Sequence, residues 1–158
     1  MAGAYQDVNA AYEYLTQRLG IPANKIIVYG YSVGGGPSVD LASRQPVAGL
    51  VIESSFTTAF RVVTGIPVYP FDKFPNIDNI KNVNCPVLVI HGNADRVIPF
   101  YHGQQLFAMV DQPKLSFWVN GAGHLNLLEV AGEEYVKVMT EFIRLVQYNQ
   151  NSKLIVSD

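Results

Sequence analysis

Three side chains far apart in this 158-residue chain have the types needed for acyl-transfer chemistry: Ser32, Asp95 and His124. Ser32 lies in Gly30-Tyr31-Ser32-Val33-Gly34, after the apolar run Ile26-Ile27-Val28-Tyr29 and before a helix-like stretch. That is the sequence form of a nucleophile elbow. A sharp strand-to-helix turn forces the serine into strained dihedrals. Glycines at 30 and 34 are expected to relieve crowding where no side chain would fit. The turn lifts the hydroxyl above the strand ends. It also aims the N–H of Val33 at the same point, which makes Val33 a candidate oxyanion donor.

A serine hydroxyl is a weak nucleophile and needs an adjacent base, itself oriented by a third group. His91-Gly92-Asn93-Ala94-Asp95 and Gly121-Ala122-Gly123-His124 each follow a strand-like run. The order Ser32, Asp95, His124 is that of elbow-type hydrolases and differs from other serine-hydrolase orders. Asp95 would fix the imidazole tautomer; His124 would take the serine proton and return it to the leaving group. Alternatives stay open. Glu53 also ends a strand and could orient the base. His91 or His102 could be the base, though both read as loop supports. Asp95 with Arg96 could be a surface ion pair, and His124 a capping residue. No metal is expected: His91 and His102 lack a helical i, i+4 relation, and one cysteine gives no zinc ligand set. No cofactor is expected, since Gly34-Gly35-Gly36 is followed by no Lys-Ser/Thr and completes no dinucleotide fingerprint.

These residues need a frame to meet. Val8, Ala11, Tyr12, Leu15 and Leu19 recur at helical spacing, which predicts a helix over 4–19 closed by Gly20. Apolar runs predict strands at 25–29, 49–53, 86–90 and 115–119. Helical patterns lie between or after them, to about Arg44 behind Ser32, over 101–110 and over 133–148. Pro37 suits the first turn of the helix behind Ser32, and Gln45-Pro46 ends it. Strands apolar on both faces and separated by helices predict an α/β fold: a parallel sheet of about four strands with helices on both faces. Such a sheet gathers its strand ends at one edge, where ligands bind. Residues 153–156 could add an edge strand or fray.

Residues 55–80 interrupt the alternation with Phe56, Phe60, Tyr69, Phe71 and Phe74 and prolines at 67, 70 and 75. This reads as a lid-like insertion in a single domain of residues 1–158. Tyr31, Phe56, Phe60 and Val97 are the candidate substrate-binding residues, and the aromatics suit an apolar acyl group. Hydrophobic residues make up 49% and charged residues 15%, which fits a sheet covered on both faces. The net charge of −2 gives no reason to expect nucleic acid as a partner. No run is long enough for a membrane span. The single Cys85 fits a reducing compartment and hence a cytoplasmic location.

At these residues the chain resembles the α/β-hydrolase superfamily, and within it the membrane-associated depalmitoylating serine hydrolases and their bacterial and fungal relatives. The segments that carry the resemblance are residues 28–44 around Ser32, Phe71-Asp72-Lys73-Phe74-Pro75-Asn76-Ile77, 87–95 around Asp95, and Gly121-Ala122-Gly123-His124. The resemblance implies Ser32 as nucleophile, Asp95 as acid, His124 as base, and hydrolysis of an ester or thioester. Family members carry about half of their sheet upstream of the elbow, with the loop that completes the oxyanion hole. Only 31 residues precede Ser32 here, so a truncated α/β-hydrolase fold is expected. Losing one oxyanion donor costs about 10²–10³ in turnover, so a weakly active or non-catalytic interaction module is the alternative. Strand 25–29 would then be a naked edge, which invites pairing and predicts a homo-oligomer.

Overall fold

The computed structural model of the protein describes residues 2–58 and 75–155. Four parallel strands form one sheet in the order β1 (Ile27–Tyr31), β2 (Gly49–Glu53), β3 (Val87–Gly92) and β4 (Lys114–Val119). The helices are α1 (Ala2–Glu13), α2 (Gly35–Arg44), α3 (Asn76–Asn79), α4 (Tyr101–Ala108), α5 (Leu127–Ala131) and α6 (Glu133–Ile155).

The alternation of side chains along a strand builds two cores. Leu50, Ile52, Val87 and Val89 face Val39 and Leu41 of α2, Leu106 of α4, and Val8 and Tyr12 of α1. Val51, Leu88 and Ile90 face Leu127 of α5 and Val138, Phe142 and Val146 of α6. β2 and β3 are buried along their whole length. Each fully buried Leu, Ile or Val contributes about 1.5–3 kcal/mol, so these two strands anchor the frame.

β1 departs from the expectation of a strand covered on both faces. It starts at Ile27 because Ala23–Lys25 form a 3₁₀ turn, with Ile26 N–H bonded to the Ala23 carbonyl at 3.1 Å. Its burial alternates: Val28 and Gly30 are buried, whereas Ile27, Tyr29 and Tyr31 are partly exposed. An end strand of the described sheet buries only the face it turns to α1 and α2. The first helix also differs from the expected single run. Beyond Glu13 it widens into a π turn over Tyr14–Arg18, with Leu19 N–H reaching the Tyr14 carbonyl at 3.0 Å. At the other end no strand forms at 153–155. Residues 133–155 contain neither Gly nor Pro, so nothing interrupts the helical ladder of α6 before Ile155. Of the 55–80 segment, residues 59–74 lie outside the described residues, and Phe60 with them.

Candidate active site

β1 delivers Ser32 to the carboxyl edge of the sheet. Ser32 has φ +52°, the left-handed region, which costs roughly 1–3 kcal/mol for a residue with a Cβ. The surroundings hold it there. The Ser55 hydroxyl donates to the Ser32 carbonyl at 2.9 Å, and a 3₁₀ turn over Ser32–Gly34 leads into α2. The two glycines of the elbow are not equivalent. A Cβ on Gly30 would lie 2.7 Å from Gly35 Cα and 2.8 Å from Ser38 Oγ. A Cβ on Gly34 would meet nothing within 4 Å, whereas one on Gly35 would run into the Ser55 side chain. The crowding expected at 34 is therefore one residue further on, because α2 packs onto β2 through Gly35.

The acid loop follows β3. Asp95 Oδ1 accepts the backbone N–H groups of Val97 and Ile98, both at 2.8 Å, so the carboxylate is fixed by its own turn. Asp95 Oδ2 faces His124 Nδ1 at 2.8 Å. The base loop follows β4, turning at Gly121 with φ +78°. His124 Nε2 lies 3.0 Å from Ser32 Oγ. A carboxylate can only accept, so Nδ1 carries the proton toward Asp95. In the neutral ring Nε2 is then bare and accepts the serine O–H. The Asp95 side chain is fully buried and that of His124 is 9% exposed. Ser32, Asp95 and His124 are thus in one hydrogen-bonded line.

The alternative residues are engaged elsewhere. Glu53 Oε2 accepts the hydroxyls of Tyr29 and, at 2.7 Å, Tyr135. Burial, then the hydrogen bond to Glu53, raises the Tyr29 pKa; burial is also the main cause that pushes Tyr135 up to about 12. His91 is wholly buried, with Nε2 2.9 Å from the Ile98 carbonyl and 3.5 Å from Asp95 Oδ2. Burial lowers its pKa, opposed by the Ile98 carbonyl and the Asp95 charge. It braces the acid loop as a neutral donor. His102 is buried on α4, with Nδ1 3.0 Å from Thr57 Oγ1.

The other expected site residues lie at varying distance from the line. Val33 follows Ser32 and is exposed; its N–H opens the 3₁₀ turn, where backbone donors have no partner inside the helix. Val97 is exposed two residues from Asp95. The Tyr31 hydroxyl donates to the His124 carbonyl at 2.7 Å. Phe56 is buried against Ile98 and Tyr5, so its ring supports the acid loop from beneath. Sequence reasoning missed Ser55, Asn93 and Asn126. Asn93 accepts Gly121 N–H and donates to Asn120 Oδ1, both at 2.8 Å, and Asn126 accepts Gly123 N–H at 2.8 Å. Their only sequence signal is position beside a strand-end loop.

A profile of the dienelactone hydrolase family matches residues 1–137. The chain belongs to that family. Among curated relatives this dienelactone hydrolase family member is 43% identical to human alpha/beta hydrolase domain-containing protein 17B over 141 residues, 88% of this chain and 48% of that protein. It is likewise 43% identical to alpha/beta hydrolase domain-containing protein aho-3 of Caenorhabditis elegans over 122 residues, 76% of this chain and 37% of that protein. The chain thus spans about half the length of the first relative, or less for the second. Among solved structures, an esterase from Pyrococcus furiosus superposes with TM-score 0.72 at 18% identity, over 89% of this chain and 61% of that one. A monoacylglycerol lipase from Paleococcus ferrophilus gives 0.63 at 19% identity, over 90% and 75%. At such identities the likeness is one of fold, and it bears out the α/β-hydrolase architecture with its four-stranded parallel sheet.

Proposed function

We propose that this dienelactone hydrolase family member is a serine hydrolase that cleaves a carboxylic ester or thioester through an acyl-enzyme. The observation that carries the reading is the line Ser32 Oγ, His124 Nε2, His124 Nδ1, Asp95 Oδ2, with contacts of 3.0 and 2.8 Å. His124 Nε2 takes the Ser32 proton as Oγ bonds to the substrate carbonyl carbon. The carbonyl electron pair moves onto oxygen, where the Val33 N–H can donate. Collapse expels an alkoxide or thiolate, which receives the proton from Nε2 and leaves the acyl group on Ser32. Water then gives a proton to Nε2 and attacks the acyl carbon, and Ser32 leaves with that proton. Asp95 holds the tautomer throughout.

Val33, Val97 and Leu125 are 61%, 57% and 87% exposed, each within two residues of Ser32, Asp95 or His124. This apolar rim supports an apolar acyl group, with Val97 as a candidate contact. Labelling with a fluorophosphonate probe tests the reading. Loss in Ser32→Ala with retention in Ser38→Ala is the expected result. A folded wild-type chain that stays unlabelled would favour the interaction-module reading.

Two further parts of the reading concern setting. The exposed side chains of β1 at the end of the described sheet support a homo-oligomer that pairs this edge; a monodisperse monomer in light scattering at micromolar concentration argues against it. The single buried Cys85 supports a cytoplasmic location. No helix among the described residues is long and apolar enough to cross a membrane.

A further inference from the structure

The dipeptide Tyr31-Ser32 touches His124 twice. Ser32 Oγ meets the ring at Nε2, and the Tyr31 hydroxyl donates to the backbone carbonyl at 2.7 Å. Asp95 supplies the third point at Nδ1. Two hydrogen bonds at the ring nitrogens fix the axis through them but leave rotation about it, which would swing the Cβ and the loop behind. A bond to the backbone carbonyl removes that rotation. The loop needs such a restraint, since it turns at Gly121, where φ is +78°, and α5 begins only at Leu127. Its other ties hold the flanking residues Asn120, Gly121, Ala122 and Gly123, through Asn93, Ala94 and Asn126.

We propose that Tyr31 is a positioning residue for His124, holding the base loop in reach of Ser32 through its hydroxyl. This moves Tyr31 from the substrate-contact role expected of it to one exerted through the base, and it rests on the triad reading above. The strand explains why the side chain can do this. Tyr31 ends β1 with its ring on the partly exposed face, and that ring lies 5.5 Å from the His124 ring, tilted by 33°. Burial and the nearby charges of Glu53 and Asp95 raise its pKa, so the hydroxyl keeps its proton and remains a donor.

The test compares wild type with Tyr31→Phe, which keeps the ring and deletes only the hydroxyl. Two measurements are made: steady-state hydrolysis of p-nitrophenyl butyrate, and hydrogen exchange of the backbone amides at 121–126. The expected result is kcat lower by about three- to tenfold, the scale of one hydrogen bond, with KM and melting temperature unchanged. Exchange at 121–126 should be faster, with exchange in β2 and β3 unaltered. A raised KM at constant kcat would return Tyr31 to substrate contact and overturn the proposal. So would unchanged exchange in the loop. If wild type hydrolyses nothing, the hydrolase reading fails by itself, and the exchange comparison still decides whether Tyr31 holds the loop.

Discussion

The side-chain carbonyl of Asn93 accepts the backbone N–H of Gly121 at 2.8 Å, fastening the loop that carries Asp95 to the loop that carries His124. A second bond, from Asn93 to Asn120 Oδ1, doubles the tie. Asn93 thus helps to hold Asp95 and His124 together from outside their own contact. Asn93→Ala should lower kcat/KM for a p-nitrophenyl ester by about three- to tenfold, as expected for one or two hydrogen bonds. Asn93→Asp keeps the acceptor for Gly121 and should retain more activity than the alanine variant. Equal activities for the two variants would argue against the tie.

Asp95→Asn tests the tautomer. An amide can donate to Nδ1, which would place the proton on Nε2 and remove the acceptor that Ser32 needs. A loss of about 10⁴ in kcat is expected for such a change, with little change in KM. Steady-state kinetics on the same ester reads it directly.

The elbow glycines separate crowding from motif. Gly30→Ala puts a methyl 2.7 Å from Gly35 Cα, so backbone must shift, at roughly 1–3 kcal/mol. Gly34 has φ −64° and open space around it, so Gly34→Ala should be neutral or stabilise by about 0.4–1 kcal/mol. Urea unfolding midpoints of the two variants should move in opposite directions or, at the least, differ clearly.

The Glu53–Tyr29–Tyr135 cluster predicts a loss of stability in alkali. The Tyr135 pKa is pushed from 10.0 to about 12 in the fold. A raised pKa means the fold holds the proton more tightly than the unfolded chain does. Its contribution is therefore complete below pH 10 and is lost as pH rises from 10 through about 12. Tyr135→Phe should melt at a lower temperature than wild type at pH 8, having lost a bond to Glu53, but should fall less steeply between pH 9 and 11. Parallel falls would remove Tyr135 as a source of the slope.

His91 predicts the opposite slope in acid. Burial lowers its pKa below the ordinary 6.5, so the unfolded chain takes up the proton first. The stability it supports is present above about pH 6.5 and lost progressively as pH falls below that value. His91→Gln, which can still donate to the Ile98 carbonyl, should show a shallower decline in urea midpoint between pH 7 and 5.

That Ser32, Asp95 and His124 would lie side by side was legible in the sequence because acyl transfer calls for particular residue types, and because their chain order ties each to the end of an apolar run. The parallel sheet was legible in a related way: β2 and β3 carry consecutive apolar residues, Leu50–Ile52 and Val87–Ile90, a pattern that burial between two helical layers makes stable. Tertiary structure decided what depends on neighbours distant in the chain. It turned Glu53 to Tyr29 and Tyr135 rather than leaving it as a rival acid. It moved the tight glycine from 34 to 35, where α2 meets Ser55. It gave Tyr31, Ser55 and Asn93 hydrogen bonds to backbone groups distant in the chain. Any polar side chain can make such a bond from the right place, so residue type alone carries no trace of it; only the packing that brings donor and acceptor within 3 Å does.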